Sequence, residues 1–304
     1  MKHLKLLLLG IFSILISCGN NNTKAGFLAS NAPLSMILQE IIGTKGNVEY
    51  IVPTGSSPHT YTPKPSDIIK INNAKAFFYI SKNIDAFAKN INSKTSIEVI
   101  RLIPKNSLLF KAQYLSSNSK SDSDEPVIND TTFNYEEIDP HFWTDPLTIK
   151  ALVPFLVDTL SKIDPENATY YNANFANFIT KLELLDKQIS NLIQNIHTKQ
   201  IFLFHPSFLY YIRRYNLTFG GTIEQNPGQE SSPTSLTQLI NKIKNSGVKA
   251  IFSEPQLPDK PTKIIAEQAH VNVYLLDPLG GTPGRANYND LILYNTRILK
   301  EALE

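Results

Sequence analysis

The sequence predicts an α/β protein of two lobes, each a parallel β-sheet flanked by helices, joined by one long bridging helix. Three observations carry that expectation. Short apolar runs alternate with helix-period segments on either side of the middle of the chain. Between the two halves, apolar residues recur at steps of four and three from Tyr171 to Ile196. Hydrophobic residues make up 42% of the 304, against 18% charged, so the chain can bury one large core or two ordinary ones and is not charged enough to be disordered.

The N-terminus is a segment of another kind. Met1-Lys2-His3-Leu4-Lys5 is basic, and Leu6 to Ile16 is an apolar run too short to cross a bilayer comfortably, which is the pattern of an export signal. The run ends in Leu15-Ile16-Ser17-Cys18, the last being the only cysteine in the chain, and polar Gly19-Asn20-Asn21-Asn22 follows. This resembles a bacterial lipoprotein lipobox with cleavage before Cys18. The alternative is an ordinary signal with an incidental buried cysteine. Exported cysteines usually come in disulfide pairs, and lipid on Cys18 accounts for the odd count. A single acyl chain anchors only marginally, so stable attachment needs several, as the lipoprotein resemblance implies.

The expected organisation is therefore a signal over 1–17, a lipidated tether over 18–25, an N-terminal lobe over 26–163, the bridging helix over 164–197 and a C-terminal lobe over 198–304. Subtracting Lys2 and Lys5 from the 29 basic residues brings them level with the 27 acidic ones. A neutral mature chain gives no reason to expect a nucleic-acid partner. Gly220-Gly221 and Gly280-Gly281 lack the spacing of a phosphate-binding loop.

In chain order, residues 25–30 read as a strand. Leu34, Ile37, Leu38, Ile41 and Ile42 then give a helix that Gly43 stops. A strand follows at Val48–Val52, then a helix opening at Pro65-Ser66-Asp67, a strand at Ala76–Ile80, a helix near Ile84–Ile91 and a strand at Ile97–Ile100. Residues 113–138, rich in Ser, Asp and Asn with no apolar period, read as a solvated loop. Asp145 as cap and Pro146 as first residue open a helix to about Lys162. Asp164 and Pro165 open the long helix, whose rival reading, a coiled coil, has few flanking charges to support it. Alternation then resumes: strand Lys199–Phe204, helix Ser207–Tyr215, strand Leu217–Ile223, helix Ser235–Ser246 closed by Gly247, strand Lys249–Glu254, helix Pro261–Ala269, strand Asn272–Leu276 and a last helix from about Asn287.

Of six histidines, His3 lies in the signal, and His197 and His270 lie at helix ends where an imidazole meets free carbonyls. The other three, His59, His141 and His205, fall at or beyond strand carboxyl ends or in loops before helices, as does Asp277. Ligands of open α/β sheets bind beyond those ends, so these four, two per lobe, are candidates for one metal site. Without CxxC or HExxH spacing the sequence alone leaves their convergence open.

The segments "GSSPHTYTPKPSD" (55–67), "DPHFWTDP" (139–146), "HPSFLYYIRRYNL" (205–217) and "LLDPLGG" (275–281) resemble, in order and spacing, the zinc- and manganese-binding solute-binding lipoproteins of bacterial ABC transporters. The likeness covers essentially all of the mature chain. It implies two lobes on a rigid helix, a metal bound between them by His59, His141, His205 and Asp277, delivery to a membrane permease, a lipid anchor and a monomer.

Three imidazoles and one carboxylate suit Zn2+, whereas Mn2+, the alternative cargo, prefers more oxygen, and manganese-dedicated relatives commonly carry a carboxylate where this chain has His205. Leu209 departs from the glycine usual at that place in the family. Pro58, Pro63 and Pro65 restrict the backbone around His59, so its loop loses little entropy when metal arrives. Binding should release imidazole protons, so affinity should fall as pH drops through the histidine range.

Two competing readings are an exported zinc hydrolase, with Glu230 or Glu254 as base beside a metal-bound water, and an adhesin whose metal is structural. Four protein donors leave a tetrahedral ion no open position for water, which argues for binding over hydrolysis.

Overall fold

The computed structural model describes residues 26–91, 95–117, 133–229 and 231–304. The export signal, Cys18 and its tether, Glu230 and most of the 113–138 segment lie outside these described residues.

The N-terminal half begins with β1 (Phe27–Ala29), α1 (Ala32–Ile42), β2 (Val48–Tyr50), α2 (Pro65–Asn73), β3 (Ala76–Tyr79) and β4 (Ser96–Glu98). Every strand pair is parallel and the order is β2-β1-β3-β4. α1 starts where Asn31 accepts from the Leu34 amide at 3.1 Å, and stops at Gly43, whose φ of 53° suits a residue without a side chain. A Cβ there would also meet the Tyr170 hydroxyl at 2.6 Å.

The helix expected at Ile84–Ile91 is one short 3-10 stretch, Ala86–Asn90. Its anchor is polar: Asp85, fully buried, accepts from the Ile80 amide at 2.7 Å and thereby fixes the chain directly after β3. β4 is likewise shorter than expected, because Val99–Leu102 curl into a 3-10 helix.

Burial raises the Asp85 carboxyl to a pKa of about 7, with nearby Glu98 adding to the rise and the Ile80 amide opposing it. The folded chain therefore holds this proton more tightly than the unfolded one, whose value is 3.8. The sign follows: between pH 4 and 7, roughly, the folded state binds more protons, so stability falls as pH rises. Asp85→Asn keeps an oxygen for Ile80 and removes the charge. We expect it to stabilise the protein at pH 8 by up to about 4 kcal/mol and to flatten that part of the stability profile, measured by urea denaturation at pH 5 and pH 8.

α3 (Lys111–Ser117) opens the segment read as a loop. α4 (Pro146–Ile163) begins as expected, with Asp145 accepting from the Leu147 amide at 2.9 Å. The bridging helix is α5 (Ala168–Ile193), preceded by a 3-10 turn, Pro165–Asn167. Its 26 residues extend about 39 Å, and it ends before His197. Its buried stripe is Tyr171, Phe178, Leu182, Leu185, Ile189 and Ile193.

The second half contains β5 (Gln200–Leu203), α6 (Leu209–Arg214), β6 (Thr218–Thr222), α7 (Pro233–Ser246), β7 (Ala250–Ser253), α8 (Lys260–Ala269), β8 (Asn272–Leu275) and α9 (Tyr288–Leu303). Its sheet is also parallel, in the matching order β6-β5-β7-β8. α5 packs against α1, α4 and α9. One apolar cluster continues from Phe27 and Phe78 in the first sheet, through Phe178 and Leu185 of α5, to Leu203 and Phe252 in the second.

Candidate metal centre

Each sheet has its topological switch point beside its first strand, where successive connections leave to opposite sides and a crevice opens at the strand carboxyl ends. His205 follows β5 and Glu254 follows β7, so both stand at the switch point of the second sheet. His59 and His141 come from the first half. The loop holding His59 is stiffened by a Thr60 amide bond to the Ser57 carbonyl and by Asp67, which accepts from the Tyr61 hydroxyl at 2.6 Å and the Lys64 amide at 2.7 Å. His141 enters a 3-10 turn, Phe142–Thr144, whose start is held by Asp139.

His59, His141 and His205 converge, with one ring nitrogen from each within 4.8 Å of the others. Asp139 Oδ1 accepts from His141 Nδ1 at 2.6 Å and also from the His141 amide at 3.0 Å. Glu254 Oε1 accepts from His205 Nδ1 at 2.8 Å and from the Ser207 hydroxyl at 2.7 Å. A carboxylate on Nδ1 fixes the proton there and leaves the Nε2 lone pair free, the arrangement found behind metal-ligating histidines.

His205 Nε2 is buried with no protein partner, and His59 Nε2 lies 3.1 Å from His141 Nε2. Two nitrogens held about 2.0–2.1 Å from a tetrahedral zinc are separated by roughly 3.3 Å, so the spacing fits one shared ion. The cavity, about 10 Å³, is also lined by Trp143, Gln256, Pro278 and Leu279 and has the size of one ion or one water.

The electrostatics favour neutral rings at His59 and His141. Burial first, then His205 and His141, holds His59 well below the ordinary imidazole value of 6.5. Burial also lowers His141, with Asp139 opposing. Proton competition thus sets in at lower pH than an unperturbed histidine would give.

Asp277, buried after β8, is not brought into this cluster. Its Oδ1 accepts from the Leu279 and Gly280 amides, each at 3.0 Å, and from Gln256 Nε2 at 2.7 Å, while Oδ2 pairs with Arg285 at 3.0 Å. The turn that delivers those amides needs glycine: Gly280 has φ 64° and a Cβ there would sit 2.7 Å from the Arg285 carbonyl. The expected helix ends are met at His270, the left-handed cap of α8, whereas the His197 amide bonds to the Leu303 carbonyl beyond α5. Glu254 proves to be the partner of His205.

Asp139 and Gln256 were not singled out by sequence reasoning. The rule that finds Asp277 beyond β8 also points to Glu254-Pro255-Gln256 beyond β7, and Asp139 stands two residues before His141 in the DPH motif.

The halves are also tied around the site. Trp143, whose ring centroid lies 5.4 Å from that of His141, donates from Nε1 to the Pro278 carbonyl at 2.7 Å, and Tyr288 donates to the Trp143 carbonyl at 2.7 Å. Arg214 reaches Asp145 with two bonds, 2.9 and 3.0 Å, and Arg213 reaches the Ser107 and Leu108 carbonyls. Leu209 is fully buried in the core at the start of α6.

Comparison with known proteins agrees with this architecture. The profile of the family described as zinc-uptake complex component A, periplasmic (ZnuA), matches residues 28–302. The metal ABC transporter substrate-binding lipoprotein SloC of Streptococcus mutans is 30% identical over 288 residues, covering 90% of this chain and 88% of its own. The high-affinity zinc uptake system protein ZnuA of Brucella abortus is 26% identical over 332 residues, covering 100% and 99%. A crystal structure of ZnuA superposes with a TM-score of 0.75 at 26% identity, over 92% of this chain and 99% of that one.

Proposed function

Since the chain belongs to the zinc-uptake component A family of metal-binding, ABC-transporter solute-binding proteins, we propose that it captures one Zn2+ between its two halves and delivers it to a membrane permease. His59, His141 and His205 supply three nitrogen donors, and Asp277 would complete the set as the carboxylate ligand by turning from its Gln256 and Arg285 partners. The observation that carries this reading is the meeting of three imidazole Nε2 atoms around a one-ion cavity, two of them backed by carboxylates on Nδ1.

Three nitrogens favour zinc over the harder manganese. Proteins of this kind work outside the cytoplasm. The signal and lipobox pattern supports export and a lipid anchor on Cys18, and the chain acts as a monomer beside its permease. The hydrolase reading is disfavoured because the bonds of Glu254 Oε1 to His205 Nδ1 and the Ser207 hydroxyl are those of a carboxylate that orients a ligand.

Elemental analysis of protein purified without chelator should give one zinc per chain. Affinity should stay nearly constant from pH 8 down to 6.5 and fall only below it, since the protonated forms of His59 and His141 are already disfavoured there. Zinc titrations at pH 7.5, 6.5 and 5.5 test this. A loss of affinity already between pH 7.5 and 6.5 would contradict the lowered imidazole values.

A further inference from the structure

We propose that the first half holds one internal water molecule at the switch point of its sheet, bound by Ser30, Asn31, Ser81 and Asp85. Four side-chain atoms there, Ser30 Oγ, Asn31 Nδ2, Ser81 Oγ and Asp85 Oδ1, are buried without a hydrogen-bond partner, on residues no more than 3% exposed. Leaving even one polar atom so deep without a partner is costly, and four at one place form the lining of a site. Ile84, next to Asp85, lines the metal cavity, but none of the four does.

The backbone brings them together. β1 and β3 run side by side as far as the bond from the Ser30 amide to the Phe78 carbonyl, 2.8 Å. The next rung of a parallel ladder would join the Ile80 amide to the Ser30 carbonyl. Instead that carbonyl accepts from Val52, on the β2 side, at 2.9 Å, and the Ile80 amide donates to Asp85 Oδ2 at 2.7 Å. The two strands part here, and the Asp85 carboxyl stands in the opening. Ser81 is drawn in by the bond from the Asp85 amide to its carbonyl, 2.9 Å, which closes residues 81–85 into one turn. Asn31 follows Ser30 and commits its Oδ1 to the Leu34 amide, so only its Nδ2 is left for another group. The Ser30 hydroxyl is near enough to Asp85 to oppose the rise in its pKa, yet forms no direct bond. One intervening molecule closes that gap.

Donors and acceptors identify the molecule. Asn31 Nδ2 can only donate, an ionised Asp85 can only accept, and each serine hydroxyl does either. Water, which donates twice and accepts twice, matches that set bond for bond, and internal waters ordinarily make about three such bonds. A hard cation such as Mg2+ or Ca2+ would be opposed by the Asn31 N–H groups and would require the carboxylate charged, whereas the Asp85 pKa is raised to about 7. Water serves both protonation states. At the matching place in the second sheet, after β5 and β7, stand His205 and Glu254 of the metal centre. The first sheet fills the equivalent opening with solvent, which ties the cap of α1 to the exit of β3.

The test is a crystal structure of the protein at a resolution that shows ordered waters, read together with oxygen-17 relaxation dispersion, which counts slowly exchanging internal waters in solution. Density for one water about 2.7–3.2 Å from at least three of the four atoms is the expected result. Asp85→Glu and Ser81→Val each push added bulk into the same space, and each should remove that density and lower the relaxation count by one. Melting curves show which variants are folded, and the wild-type density decides alone if neither is. Empty density, direct bonds among the four side chains, or a peak about 2.0–2.6 Å from the oxygens with Asn31 Nδ2 turned away overturns the inference, the last in favour of a cation. So does a water count unchanged in both folded variants.

Discussion

Replacing His205 by Ala is expected to raise the zinc dissociation constant by two to three orders of magnitude. Zinc held by a full protein donor set is worth about 10–16 kcal/mol, so one of four donors contributes roughly 3–4 kcal/mol. The ring is 3% exposed, and water that enters in its place cannot use the Glu254 contact to hold a lone pair at the ion. Trp143 is the only tryptophan in the chain and lines the same cavity, so its emission offers a direct readout of titration. An affinity within tenfold of the wild type would mean that the ion binds elsewhere. The metal-free variant should melt below the wild type, because the buried Glu254 keeps only its Ser207 bond, but it should remain folded.

Asp145→Ala should destabilise the fold by about 3–4 kcal/mol. Asp145 is fully buried and does three things at once. It caps α4 through the Leu147 amide, accepts from the Thr148 hydroxyl at 2.8 Å, and receives both bonds from Arg214. Losing the cap costs about 1 kcal/mol, and leaving the guanidinium without its partner adds most of the rest. The Arg214 side chain is 35% exposed and partly regains water, which places the total at the lower end for a broken ion pair. For a chain of this size the melting temperature should drop by roughly 5–6 °C. Arg214→Met keeps the cap and the Thr148 bond but leaves the fully buried Asp145 carboxylate without its counter-charge, so it should cost a similar amount. A thermal scan of both variants decides this, and a loss below about 1 kcal/mol in Asp145→Ala would overturn the prediction.

Much of the architecture was legible because period and punctuation agree. The stripe of α5, the Asp145-Pro146 start of α4 and the Gly43 and Gly247 stops each rest on local chemistry that tertiary contacts did not override. The failures have tertiary causes. Ile84–Ile91 has helical spacing, yet the buried Asp85 carboxyl pins its first turn to Ile80 and leaves only a 3-10 stretch. The helix expected from Ser207 begins at Leu209, because the Ser207 hydroxyl is held by Glu254 and its amide by the His205 carbonyl.

At the site, position beyond strand ends was enough to select the three converging histidines. Their supports were harder to read. Glu254 is 49 residues from His205 in sequence, and only the parallel pairing of β5 with β7 makes them neighbours. The commitment of Asp277 to Gln256 and Arg285 likewise depends on how the 277–285 turn closes, which no local pattern announces.

The apolar interior that passes unbroken from Phe27 through Phe178 to Phe252 makes the division into halves a matter of shape more than of thermodynamics. Because both sheets share that interior, calorimetry should register a single endotherm, and heat or denaturant should dismantle both halves together.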